Sequence, residues 1–198
     1  MSRVIKGPFE VIASRHIYTN PWITVREDEV VRPGGTQSIF GVVDMMAGSS
    51  ILALTDEWEV YLAREYKYGL QNYSIETVSG GLELGETPIE TAIRELREEF
   101  GMEAREWISL GTIYPFTNVI NSASYLFLAL GVEIKHLPKP DPGEHIETLK
   151  LPLARVVEMV MDGEIINGSA CALILKAYYY LTTQGIIISR CDCGGVNP

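Results

Sequence analysis

The stretch from Thr87 to Gly101 constrains this chain more than any other. Thr87-Pro88-Ile89-Glu90 is a capping box with proline at the first helical position. The Thr87 hydroxyl can accept from the third helical amide while Glu90 reaches back to the cap. Ile89, Ile93, Leu96 and Phe100 follow at helical spacing, and Gly101 stands where a left-handed C-terminal residue is wanted. The spacing predicts a helix over Pro88–Phe100 with those four residues on its core face. At about 100° per residue, Glu95, Glu98 and Glu99 then project from the opposite side. Like charges three or four residues apart destabilise a helix by roughly a few tenths of a kcal/mol per pair. The C-terminal half of a helix also favours cations. Local physics therefore disfavours this placement twice, and a bound divalent cation reverses both penalties. Mg²⁺ and Mn²⁺ prefer hard oxygen ligands of this kind. The competing reading is a solvated acidic face, eased by Arg94 and Arg97. A glycine-rich loop, Gly80 to Gly85, feeds the helix and lets a ligand approach the backbone closely, with Glu83 and Glu86 adding carboxylates.

The rest of the chain reads as strands around this helix and two helices after it. Strand patterns cover Phe9–Tyr18, Trp22–Val31, Ile39–Met46, Ser50–Thr55, Val60–Tyr66 and Asn72–Val78, with Ser79-Gly80-Gly81 breaking the pattern. Further strands are expected near Trp107–Tyr114, Ala123–Ile134 and Ile146–Leu151, and helices near Leu153–Met161 and Ser169–Gln184. The Pro-rich stretch Leu137–Gly143 is a loop. Short strands with one early and two late helices give an α+β class.

From Gly80 the chain runs GGLELGETPIETAIRELREEFGM. Gly80, Glu86, Arg94, Glu95, Glu98, Glu99 and Gly101 stand at the fixed spacing of the Nudix box, and the segment resembles that family at every defined position. The resemblance implies the Nudix fold, a mixed β-sheet sandwiched between helices, here with an N-terminal antiparallel strand region. It implies hydrolysis of a nucleoside diphosphate linked to another moiety, with Mg²⁺ or Mn²⁺. Carried over by position, Glu95, Glu98 and Glu99 match metal-ligating glutamates, with Glu98 and Glu99 also in the catalytic set. Arg94 matches the arginine that orients them, Glu86 supports helix and loop, and the Ser79 carbonyl matches a backbone metal ligand. The flanks VRPGG, FGVV, YLAREYKYGL and SIETVSGGLELGE, with the late EHIE, resemble ADP-ribose pyrophosphatase-type members over most of residues 20–180. In that group Glu76 matches an acidic residue ahead of the box. Glu144 matches a loop glutamate that serves metal or the attacking water, with Glu147 its competitor. Arg64 and Lys67 are candidate phosphate contacts, and a surface role is the alternative for each. There are departures. Val78-Ser79-Gly80 replaces the usual Pro-Ala-Gly, and Glu65-Tyr66-Lys67 replaces Gln-x-Arg. Tyr114 to Asn118 stands where Ser-Pro-Gly is common, with Ser122 at the acidic position beyond it. These leave the carboxylates intact and keep other sugar nucleotides open. A non-catalytic nucleotide sensor and a hydrolase of another nucleoside diphosphate derivative are the alternatives.

Composition narrows the partners. The formal charge is -10 and the pI about 4.8, against the dense basic surface that nucleic-acid binding needs. It also weighs against a hydrolase of highly phosphorylated inositols. No apolar run approaches the roughly 18 residues that span a membrane, and the first residues do not read as a signal peptide. Cys171, Cys191 and Cys193 make no disulfide framework, so a reducing, cytoplasmic setting is expected. Cys191-x-Cys193 lacks a second ligand pair for zinc. His16, His136 and His145 lack ligand spacing, and Trp22, Tyr66 and Tyr68 serve either packing or base stacking. The domain reading is a strand region over 1–45, a hydrolase domain over 46–185 and a tail over 186–198. By resemblance, the first of these is a candidate homodimer element, and the expected partner is a small sugar nucleotide.

Overall fold

The computed structural model describes residues 4–139 and 145–187. In chain order the first elements are β1 (Val4–Lys6), β2 (Phe9–Thr19), β3 (Ile23–Val31), β4 (Gln37–Met45), β5 (Gly48–Leu54) and β6 (Glu59–Lys67). Then come β7 (Asn72–Glu76), β8 (Val78–Gly81), α1 (Pro88–Phe100), β9 (Met102–Ile113), β10 (Ile120–Asn121) and β11 (Ser124–Ile134). The last are β12 (Glu147–Pro152), α2 (Leu153–Met161) and α3 (Gly168–Thr183).

The N-terminal strands β1 to β4 form an antiparallel meander, closed by β10, which runs parallel to β4. The second sheet runs β12-β6-β5-β11-β9, and α1 covers one face while α2 and α3 cover the other. This is a mixed sheet between helices. Its centre, β5, pairs in parallel with β11, a connection that needs a long crossover, and the crossover contains α1. Ile51 to Leu54 are all fully buried because both faces of β5 are covered.

The helix ends fall where the capping box and Gly101 place them. Thr87 accepts from the Glu90 amide, Glu90 caps back, and Gly101 is left-handed with φ of 64°. The core face differs from expectation. Ile93 is exposed, and the buried stripe is Thr91, Ala92, Leu96 and Phe100. The cause is tertiary: α1 packs on β8 as well as on β5, so the buried arc is turned towards the loop that precedes the helix. Glu95 and Glu99 consequently flank the core instead of opposing it. The Glu95 side chain is 14% exposed, while that of Glu98 is 46% exposed.

Two further differences matter. Ser79-Gly80-Gly81 does not end the strand pattern but forms β8, antiparallel to β5. Gly48 and Gly80 allow this, since a Cβ on Gly48 would sit 2.8 Å from the Gly80 carbonyl oxygen. The strand expected near Trp107 starts at Met102, straight from the helix cap. Here Gly101 is crowded as well as left-handed, because a Cβ on it would collide with the His136 carbonyl. Gly101→Ala is therefore expected to cost more than the roughly 1 kcal/mol of an ordinary positive-φ substitution, measured by denaturant unfolding.

Candidate active site at the split of the central sheet

The site begins with a defect in the second sheet. β5 and β6 pair only at Ala53↔Tyr61 and Leu54↔Val60 and then diverge. Beyond that point β8 takes the free edge of β5, and β7 takes the free edge of β6. Thr77 is the single residue joining β7 to β8 across the gap. α1 lies over this gap and turns its carboxylates towards it.

Arg94 organises those carboxylates. Its Nε and Nη2 grip Glu86 at 2.8 and 3.1 Å, Nη1 donates to Glu95 at 2.7 Å and to Glu98 at 3.0 Å, and Nη2 donates to the Gly81 carbonyl at 3.0 Å. All the N–H donors of a guanidinium are thus engaged. Glu86 also accepts from the Glu83 amide and the Thr91 hydroxyl, which ties the glycine-rich loop to the helix. Hydrogen bonding to Arg94, aided by the Glu83 amide, holds the Glu86 carboxyl down at about 2. The same bonds, led by Glu86, raise the Arg94 guanidinium above its ordinary range. The Glu95 carboxylate occupies the space a Cβ on Gly80 would take.

Beside this hub, a cavity of about 40 Å³ is lined by Glu65, Lys67, Glu76, Thr77, Ser79, Glu99 and Ile146. The Lys67 ammonium is paired with Glu65 and lies 3.9 Å from Glu76. Burial alone would lower the Lys67 pKa. The Glu65 pairing and the charges of Glu76 and Glu99 outweigh burial and hold it above the ordinary range. A larger hollow of about 700 Å³ lies on the outer face of α1, against Ile93, Arg97 and Leu137. The smaller cavity is the better candidate for chemistry, because Ser79, Glu76 and Glu99 converge on it.

Most of the residues singled out by sequence therefore gather at one place. Glu76, Ser79, Glu99 and Lys67 line the cavity, and Arg94 holds Glu95 and Glu98 beside it. Arg64 is placed elsewhere. Alternation along β6 turns Ala63, Glu65 and Lys67 towards the cavity and Arg64 away, onto Glu147 at 2.7 Å and the Tyr73 ring. Glu147 is engaged by Arg64 in the same way. Glu144, Cys191 and Cys193 lie outside the described residues. Tyr68 is almost fully exposed, and Tyr66 packs edge-on against Tyr73. Sequence reasoning missed Glu65 and Thr77 as lining residues; the period of two from Lys67 would have found the first.

Comparison with known proteins gives the family. Residues 45–166 match the family model for the NUDIX domain, and residues 9–43 match that of the nucleoside diphosphate sugar hydrolase N-terminal domain. The chain belongs to the Nudix hydrolases. It is 30% identical to an ADP-ribose pyrophosphatase of Mycobacterium tuberculosis, over 88% of this chain and 85% of that one. It is 25% identical to an ADP-ribose pyrophosphatase of Bacillus subtilis, over 83% of this chain and 90% of that one. A crystal structure of an ADP compounds hydrolase superposes with a TM-score of 0.81 at 19% identity, covering 94% of this chain and all of that one, and supports the fold. The chain is thus a Nudix pyrophosphohydrolase acting on nucleoside diphosphate sugars with a divalent metal ion.

The donor set fits a hard divalent ion: carboxylates, a backbone carbonyl, and a glycine that leaves room for Glu95. Among the described residues no three acidic, histidine or cysteine side chains already enclose a point. Arg94 holds Glu95 and Glu98 on its own charge. Nor is any described helix long and apolar enough to cross a membrane.

Two outcomes are expected. In Gly80→Ala the new methyl displaces the Glu95 carboxylate, a flexible neighbour, so thermal stability changes little while Mn²⁺ affinity in a calorimetric titration falls about tenfold or more. For Glu86, a pKa held at about 2 against an ordinary 4.5 gives stability that is present above pH 4.5. It is lost as pH falls towards 2. The stability gap between wild type and Glu86→Gln should therefore close over that window, read by unfolding at each pH.

Proposed function

We propose that this enzyme hydrolyses the diphosphate bond of ADP-ribose or a closely similar sugar nucleotide, giving a nucleoside monophosphate and a sugar phosphate. The observation that carries this reading is the cavity at the sheet split, where Ser79, Glu76 and Glu99 meet Lys67 beside the Arg94 hub. The two ADP-ribose pyrophosphatases it resembles support the choice of substrate.

We assign Mg²⁺ or Mn²⁺ to the Ser79 carbonyl, Glu95, Glu98 and Glu99, with Glu144 as a further carboxylate. A divalent ion there supplies charge neutralisation for the diphosphate and a more acidic water. The chain's own residues do the rest. Arg94 fixes the directions of Glu95 and Glu98, and Glu86 fixes Arg94. Lys67 offers a cation inside an otherwise acidic cavity, suited to a phosphate oxygen, and Glu76 and Glu65 hold it there. Glu144 is assigned to position or deprotonate the attacking water.

We also propose a homodimer joined through the N-terminal sheet. Ile12, Ile17 and Ile39 of β2 and β4 are about half exposed or more, and a second copy would cover them. A cytoplasmic setting suits the free thiol of Cys171.

The test is hydrolysis of a panel of nucleoside diphosphate sugars with Mg²⁺ or Mn²⁺ by wild type and Glu99→Gln. ADP-ribose is expected to head the panel, and the variant to lose more than the roughly 10–100-fold that a supporting residue costs. Preference for another sugar nucleotide would remove the ADP-ribose assignment. Full activity in Glu99→Gln would remove the metal assignment.

A further inference from the structure

A second pocket opens on the other side of the Thr77–Ser79 wall. It measures about 230 Å³ and is bounded by Ser50, Thr77, Ser79, Ser124, Asn167 and Ser169, with glycines of β5 and β8. Thr77 and Ser79 line both this pocket and the metal cavity, so the two compartments share one wall. Its chemistry differs sharply from that of its neighbour. None of its lining residues is charged and none is aromatic. A base would find no ring to stack on, and a phosphate would find no cation.

What the pocket offers is hydroxyl and amide chemistry. Thr77 is 3% exposed, and among the described residues its hydroxyl has no hydrogen-bond partner, although it borders both compartments. Among the described residues no fully buried side-chain N or O lacks a partner, so this hydroxyl is reached from the pocket space and is open to water or a ligand. Ser50 and Ser124 face each other at 3.1 Å, with either able to donate, so the pair keeps lone pairs for a third partner. α3 starts at the pocket rim. Its cap Asn167 accepts from the Ala170 amide at 2.9 Å, which leaves the side-chain NH₂ to donate, and the positive end of the helix favours an oxygen there. Groups that both donate and accept, arranged around an uncharged space, match a polyol. The volume lies below the ~300–1,000 Å³ that encloses a drug-sized ligand, which suits one sugar ring and not a whole nucleotide.

We propose that this pocket receives the sugar on the far side of the scissile diphosphate and is the element that selects it, with Thr77, Asn167 and Ser169 reading its hydroxyls. The assignment rests on the metal cavity being the diphosphate site. It makes Thr77 a specificity residue at the wall between the reacting phosphates and the sugar.

The test is calorimetric or NMR-detected binding of ribose 5-phosphate, glucose 1-phosphate and inorganic phosphate to the full chain. Wild type, Thr77→Val, Ser169→Met and Glu99→Gln are compared, with circular dichroism to confirm folding. Wild type is expected to bind one sugar phosphate more tightly than inorganic phosphate. The near-isosteric Thr77→Val should shrink that margin by roughly 3–10-fold, the value of one hydrogen bond. Ser169→Met should fill the pocket and abolish the margin, and Glu99→Gln should keep it. Equal binding of sugar phosphate and phosphate by wild type overturns the proposal. So does a margin that survives in both pocket variants, or one that vanishes only in Glu99→Gln, which would place the sugar in the metal cavity. Hydrolysis of the same nucleotide panel by wild type separates the two readings: no turnover with the sugar margin intact sinks the diphosphate assignment and leaves the sugar pocket standing.

Discussion

The guanidinium of Arg94 is the interaction on which the site depends. It joins three pieces of chain at one point: the loop through Glu86, strand β8 through the Gly81 carbonyl, and the helix through Glu95 and Glu98. The arrangement solves the problem posed by carboxylates at i,i+3 and i,i+4 spacing near a helix C-terminus, where repulsion and the dipole act together. One fixed planar cation faces them from within the same helix. A lysine carries the same charge on a point with three donors, and it cannot grip Glu86 with two parallel bonds while reaching Glu95, Glu98 and a backbone carbonyl. Charge alone is not the requirement; the fork is.

Arg94 works only because the sheet is split. Had β5 and β6 paired along their whole length, a continuous barrier would separate the two helical layers. Instead they part after two residue pairs, β7 and β8 fill the separate edges, and the link between them is one threonine. The gap places a small acidic cavity on one side and a neutral, hydroxyl-lined pocket on the other, with Thr77 and Ser79 common to both. A charged lining and a neutral one are thus separated by a single strand junction.

Local features were readable in advance, and tertiary ones were not. Thr87, Glu90, Pro88 and Gly101 announce the start and stop of α1 because capping is decided within a few residues. The spacing of Glu95, Glu98 and Glu99 is local in the same way, and in the fold Arg94 holds Glu95 and Glu98 together. Which face of α1 is buried depends on β8, whose last three residues Ser79-Gly80-Gly81 have the composition of a turn, so helical spacing alone turns Ile93 inward although it is exposed. β10 has only two residues and no periodicity to detect. Arg64 and Lys67 are alike in charge, and only the alternation of β6 separates the one on the outer face from the one in the cavity. Thr77 has no pattern at all, and its position matters solely because two strands end on either side of it.

β10 carries a wider consequence. It is the one strand of the N-terminal sheet that comes from the later part of the chain, and Asn121 donates to Asp44 at 2.8 Å, with Arg26 bridging Asp44 and the buried Asp28. The two sheets are therefore not beads on a string. A recombination or truncation that exchanges the first 45 residues as a cassette would carry away Arg26 and Asp44 and leave their partner strand behind. The covalent order of the chain suggests two exchangeable modules, whereas the hydrogen-bond order describes one inheritance unit.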